Sequence, residues 1–285
     1  MTLRPITALL ASLCLPFTVQ AACPDDAEVA AFVADFSAVR PARGLPSAAS
    51  LDDALCAQGK VVNALTGTWG PVAGYKAGLT NKAVQERFGV STPVHAAMLR
   101  DMLLTGDVEL PASFGARPMW EADLVAVVKK PGLHKASTPL EALEYIESIV
   151  PFIELPDLML APDVKITGPA LVAINVGTRL GVLGRPLRAE NHQAFAEALA
   201  QMTVVIEVDG TESARAPGSV LMDNPLNSAL WLARSLHDEG VELTPGQMLS
   251  LGSFLPPQPP KAGTAVTVRY LGLPGDPTVS LRFKP

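Results

Sequence analysis

The residues of this sequence best placed to do chemistry are a few acids and one lysine set in apolar surroundings. Glu121-Ala122-Asp123-Leu124-Val125-Ala126-Val127-Val128 reads as a strand that opens on two carboxylates. Side chains at i and i+2 of a strand share a face, so Glu121 and Asp123 project together while the rest of the strand is apolar. Two like charges there are costly unless water solvates them or a cation bridges them. A third acid, Glu154, lies inside the apolar run Pro151-Phe152-Ile153-Glu154-Leu155-Pro156. Oxygen-only ligands favour a hard ion, Mg²⁺, Mn²⁺ or Ca²⁺, over zinc. Spacing alone leaves the plainer reading open, in which all three are solvated or edge carboxylates.

The base is Lys76, flanked by small residues in Gly74-Tyr75-Lys76-Ala77-Gly78-Leu79-Thr80. A lysine that loses solvation has a lowered pKa suited to proton transfer, although a lysine is also an ordinary strand-end residue. Gly252-Ser253, after a strand at 248–251, offers backbone N–H groups or a hydroxyl to an anion. The four histidines, His95, His134, His192 and His237, show no metal-ligand spacing and are read as surface or helix-end residues. No Gly-x-Ser-x-Gly elbow, dinucleotide fingerprint or phosphate-binding loop is present, so nucleotide cofactors and serine hydrolysis are not supported.

The elements that must position these residues follow from periodicity. Val29, Phe32, Val33 and Phe36 predict a first helix stopped by Pro41, and Leu51, Leu55, Val62 and Leu65 a second that starts at Ser50. From Pro71 the texture changes to short strands between Gly/Pro turns. Thr138-Pro139-Leu140-Glu141 carries helix-start signals, and Asn224-Pro225 opens another helix through Leu226, Leu230, Ala233 and Leu236, closed at Gly240. A strand at 204–208 ends in Asp209-Gly210, a hairpin signal, and 266–270 is expected to pair with 279–283. Strands do not alternate regularly with helices, which predicts a mixed α+β chain with a largely antiparallel β-core and peripheral helices, not a doubly wound sheet.

The chain has 285 residues, 48% apolar and 18% charged, which excludes a disordered chain. Lys+Arg total 22 against Asp+Glu 28, for a net charge of −6, and this lack of basic surplus argues against a nucleic-acid partner. The first residues combine Arg4, an apolar run to Val19 broken by Pro5 and Pro16, and Val19-Gln20-Ala21. This is the secretory signal pattern, too short to span a membrane. The expectation is a secreted or periplasmic protein with a signal peptide at 1–21, a helical segment at 22–68 and a β-rich domain at 69–285. Cleavage would remove Cys14 and leave Cys23 and Cys56, an even pair that suggests a disulfide in an oxidising compartment. A buried free Cys56 or a lipidated Cys23 are the alternatives.

Taken in order, several strings resemble the fumarylacetoacetate hydrolase superfamily, in its branch of 2-keto-4-pentenoate hydratases and 4-oxalocrotonate decarboxylases. They are the Gly74–Thr80 segment, Phe88-Gly89-Val90, Pro118-Met119-Trp120-Glu121-Ala122-Asp123, Glu154, Asn175, Asn224-Pro225-Leu226-Asn227 with Trp231-Leu232-Ala233, and Gly252-Ser253. The resemblance covers roughly residues 45–285. It implies a mixed β-sandwich roll with helices outside. It also implies one Mg²⁺ or Mn²⁺ on Glu121, Asp123 and Glu154, with Lys76, Asn175 and Ser253 as catalytic residues. The implied chemistry is hydration of a small 2-keto or 2-hydroxy-dienoate carboxylic acid through an enolate that the metal stabilises, with Lys76 as proton carrier or carboxylate anchor. A homo-oligomer is implied on the same ground.

Three departures weigh against that pattern. Asp123 replaces the usual second Glu, shorter by about 1–1.5 Å. The family's Asp-Asn-Ala-Ser falls on Ile174-Asn175-Val176-Gly177, which keeps only the Asn, and the usual Thr-Gly-Ser is Leu251-Gly252-Ser253. Export is also unusual for such enzymes. Besides the hydratase, a C–C hydrolase or 2-keto acid decarboxylase on the same platform and a non-catalytic carboxylate binder therefore stand as alternatives.

Overall fold

Two capped helices precede the first strand. In the computed structural model, which describes residues 23–284, α1 (Asp26–Ser37) is N-capped by the Asp25 carboxylate and α2 (Leu51–Trp69) by a reciprocal Ser50/Asp53 capping box. The signal-like segment at 1–21 lies outside the described residues. A disulfide joins Cys23, just before α1, to Cys56 on α2, with Cα atoms 5.5 Å apart. Val29, Phe32 and Phe36 of α1 and Ala54, Ala57, Val61 and Leu65 of α2 are buried in one apolar cluster with residues of the later elements. Arg179 extends that tie. Its buried guanidinium donates to the carbonyls of Phe36 (3.2 Å) and Phe114 (2.6 Å), lies over the Phe36 ring and faces the buried Asp157 carboxylate.

The chain continues as β1 (Val72–Gly78), α3 (Lys82–Phe88), β2 (Val94–Leu99), β3 (Leu103–Thr105), β4 (Val108–Pro111), β5 (Glu121–Val128), α4 (Pro139–Ala142), β6 (Ile146–Leu155) and α5 (Gly168–Ala173). Then come β7 (Leu180–Leu183), β8 (Leu187–Arg188), α6 (Gln193–Gln201), β9 (Thr203–Val208), β10 (Thr211–Pro217), α7 (Pro225–Asp238), β11 (Met248–Ser250), β12 (Ala265–Leu271) and β13 (Thr278–Lys284). The larger sheet is ordered β2-β1-β11-β5-β6-β7-β3, with β8 also on β6, and the smaller β10-β9-β12-β13-β4. Pairing is antiparallel except at β1·β11, β3·β7 and β4·β13. The architecture is mixed α+β with peripheral helices. Among the described residues no helix is long and apolar enough to cross a membrane.

Local chemistry explains most of these elements. Asp209 and Gly210 both take positive φ (51° and 77°), as a two-residue hairpin turn between β9 and β10 requires. β12 and β13 pair antiparallel with Val268 opposite Val279, and α7 buries Leu226, Leu230, Ala233 and Leu236. The start signals at Thr138 specify less than they promise, because α4 is a single turn before β6 begins; a cap satisfies first-turn N–H groups but does not propagate a helix. β1 and β11 approach so closely that a Cβ on Gly74 would stand 1.9 Å from the Met248 carbonyl oxygen, so only glycine fits there. On the outer edge of β2, side chains replace a strand. Gln58 donates to the carbonyls of His95 (2.8 Å) and Val172 (3.2 Å), while Asn175 accepts from the Ala97 N–H (2.9 Å) and donates to its carbonyl (2.8 Å).

Candidate metal and catalytic site

The antiparallel register of β5 and β6 sets Glu121 directly opposite Glu154. Opposed residues share a face with Cβ atoms about 4.5–5.5 Å apart, and Asp123, two residues along β5, is on that face too. Glu154 and Asp123 are buried, whereas Glu121 is partly exposed. β11 runs along the other flank of β5, and its parallel partner β1 brings Lys76 level with Ser250. Lys76 is buried at 4% exposure; its ammonium donates to Glu154 Oε1 and, at 3.1 Å, to the Val176 carbonyl. Three strands, β1, β5 and β6, thus place three acids and one base on one surface, with β11 between β1 and β5.

Asp123 is held tightly. Its Oδ1 accepts from the N–H groups of Leu124 (2.6 Å), Gly252 (2.9 Å) and Leu251 (3.2 Å), and its Oδ2 from the Ser250 hydroxyl. Gly252 aims its N–H from φ +112°, a backbone setting that side-chain-bearing residues rarely adopt. Burial, and next the Glu154 charge, push the Asp123 carboxyl up to about 7 against the pull of these donors. Glu121 is pushed up to about 8, first by burial and then by Glu154, while Lys76 and the Ser253 hydroxyl pull it down. Raised values of this kind show how costly three carboxylates are together without a cation, and an oxygen-rich face of that sort suits a hard divalent ion. The donor set fits, with Glu121 and Glu154 the freest ligands and Asp123 keeping part of Oδ2. The fit is open, since these three acids do not form a cluster within 4.8 Å among the described residues.

Asn175 bonds to the outer edge of β2. Its amide accepts from the Ala97 N–H and donates to the Ala97 carbonyl, which gives it a positioning role on β2. What it positions is the carbonyl that follows. Asn175, Val176 and Gly177 all take positive φ (54°, 49° and 66°), and for a β-branched valine that is a strained setting of the kind found at functional sites. The strain turns the Val176 carbonyl onto Lys76. Ser253 is half-buried beside Glu121, and its hydroxyl donates to the Leu255 carbonyl at 2.5 Å. Nothing in residue type announces the Val176 carbonyl or the Ser250 hydroxyl; the turn after α5 brings in the first and the sheet order the second.

The histidines divide. His192 N-caps α6, and His237 sits in the last turn of α7. His95 corrects the expectation of a surface residue: it is buried in β2 and its Nε2 meets Glu239 at 2.7 Å, which removes the cost of burying an unpaired imidazole. It lines a cleft of about 370 Å³ between α2, β2 and α7 with Trp231 and Arg234, and that cleft includes neither Lys76 nor the acids.

No family model matches the chain. A 2-keto-4-pentenoate hydratase of Burkholderia vietnamiensis is 31% identical over 205 residues, 71% of this chain and 75% of that protein. The chain belongs to the 2-keto-4-pentenoate hydratase family. The 2-oxo-hept-4-ene-1,7-dioate hydratase of Escherichia coli is 28% identical over 230 residues, 78% of this chain and 83% of that one. Among solved structures, the 4-oxalocrotonate decarboxylase of Pseudomonas putida G7, complexed with magnesium and adipate, shares the fold at TM-score 0.77 and 22% identity, over 90% of this chain and 96% of that one.

Proposed function

We propose that this chain is an exported, divalent-metal-dependent hydratase that tautomerises a small 2-hydroxy-dienoic acid and adds water to the conjugated double bond. The observation that carries the reading is the single face shared by Lys76, Glu121, Asp123 and Glu154. Family membership supports the reaction class, and a neighbour of the same fold with magnesium and adipate supports a hard cation beside a carboxylate ligand. In this reading Glu121 and Glu154 hold Mg²⁺ or Mn²⁺, and Asp123 contributes through Oδ2 or a water. Bound there, the ion supplies a Lewis acid beside the keto-acid end of the substrate. Lys76, steadied by the Val176 carbonyl, carries the proton that moves during tautomerisation, or anchors the substrate carboxylate. Ser253, at the partly exposed Glu121 side, binds the substrate where it enters.

Two further parts of the reading concern the whole molecule. The two sheets close as the sandwich roll of the superfamily, with the Tyr270 hydroxyl of β12 donating to the carbonyls of Asp123 and Phe152 in the larger sheet. The signal-like leader and the Cys23–Cys56 bond support an oxidising, extracytoplasmic location. The test is loss of dienol absorbance across a panel of 2-hydroxy-dienoates with Mn²⁺. Wild type is expected to turn over and Glu121→Gln to lose turnover; equal rates in the two would overturn the catalytic reading. A second reading, carboxylate binding without turnover, is favoured by Ile174 and Gly177, apolar and bare where an acid and a hydroxyl are usual. Binding of a keto acid by wild type with no turnover on any substrate would establish it.

A further inference from the structure

His134, His237 and Glu242 come from three separate segments: the turn at 133–135, the last turn of α7 and the loop before β11. Their ligand atoms, one from each residue, all lie within 4.8 Å of one another, and His237 Nδ1 is already 3.6 Å from Glu242 Oε1. The two imidazoles stack face to face, 3.6 Å apart and 5° from parallel. We infer that this cluster is a second metal site, for Zn²⁺ or a similar borderline cation, separate from the all-oxygen face around Glu121.

Ligand chemistry sets the selectivity. Two imidazole nitrogens and one carboxylate match Zn²⁺, with a water completing four-coordination, and discriminate against Mg²⁺, which takes oxygen. The surroundings favour a cation. The cluster sits at the C-terminal end of α7, the negative pole of that helix, with the Asp238 carboxylate nearby, while Lys135 opposes it. Partial burial and the neighbouring His237 lower the pKa of His134, so its lone pair is available at neutral pH.

The geometry also states what binding must change. Stacked rings direct their in-plane lone pairs side by side, whereas a tetrahedral zinc with ligands at about 2.0–2.1 Å draws those atoms to about 3.3 Å from one another. The rings must therefore turn out of the stack about Cβ–Cγ. His237 is free to do so, its side chain being 44% exposed, and His134 is only partly covered. Closing the cluster would clip the 133–135 turn to the end of α7 and to the loop that feeds β11.

The experiment is calorimetric titration of the full chain with ZnCl₂ under excess Mg²⁺, alongside NMR of the histidine ring protons. Wild type is expected to show a zinc site that is lost in His237→Ala and in Glu242→Gln but kept in Glu121→Gln. Zinc should also relieve the upfield ring-current shifts of the stacked His134 and His237. Absence of zinc binding, heats unchanged in both cluster variants, or heats lost only in Glu121→Gln would overturn the proposal. The His237 and Glu242 side chains are exposed, so neither substitution opens the core, and circular dichroism of the variants checks this.

Discussion

Replacing Asn175 with alanine separates positioning from chemistry. The Asn175 amide satisfies both the N–H and the carbonyl of Ala97, which is buried at 7% exposure on the outer edge of β2. A buried backbone group that loses its partner costs about 1–3 kcal/mol, so two such groups place the loss at about 2–6 kcal/mol. Alanine also tolerates positive φ less well than asparagine, which adds up to about 1–2 kcal/mol. Water entering the vacated space offsets part of this, leaving about 3–4 kcal/mol, a large share of the roughly 5–15 kcal/mol that stabilises a typical domain. Urea denaturation followed by circular dichroism measures it as a lowered midpoint at unchanged slope. Asn175→Asp should be no better, because it keeps the acceptor for the Ala97 N–H but turns a carboxylate oxygen toward the Ala97 carbonyl. A loss below about 0.5 kcal/mol, the level of an ordinary surface change, would refute the clamp. Low turnover at full stability would assign Asn175 a catalytic role instead.

Three other outcomes follow from the same geometry. Lys76→Met should lower kcat by about 10²–10⁴-fold, as loss of a general acid–base does, while Mn²⁺ affinity is retained; unchanged kcat would remove the lysine from the proton path. In chelator, stability should fall as pH rises from about 4.5 to 8. Glu121, raised to about 8 from 4.5, and Asp123, raised to about 7 from 3.8, bind more protons folded than unfolded across that window; a urea midpoint that rises over this range would contradict the raised values of these acids. Reducing the Cys23–Cys56 bond, which closes a 33-residue separation, should cost about 3–4 kcal/mol on the chain-entropy model. Two thiols titrating in denaturant without reductant would show that the bond does not form.

The periodic and capped parts of this fold were legible in the sequence. The apolar spacing of Val29, Phe32 and Phe36, the Ser50/Asp53 box and the Asp209-Gly210 turn each encode their element within a few residues. The common face of Glu121 and Asp123 was equally local. The pairing of Glu121 with Glu154 and the approach of Lys76 were not, because sheet order is set by contacts among segments far apart, and only the family resemblance suggested them. The partner of Asn175 was hidden for a related reason: residue type says that an amide can hydrogen bond, not which backbone it will meet. The Val176 carbonyl has no side-chain signature, and the sequence separation of 103 between His134 and His237 hides their stack from any spacing rule.

The side-chain dressing of β2 has a consequence for self-association. An edge strand with free backbone donors and acceptors is a template on which another chain can add a strand. Here Gln58 occupies the outward carbonyl of His95, and Asn175 both outward groups of Ala97, so three groups in the middle of this edge are denied to a second molecule. Variants that strip either amide should therefore do more than soften the fold. They expose a short, apolar, β-prone segment, Val94–Leu99, and should form aggregates on storage or during refolding at concentrations where the wild-type chain stays dispersed.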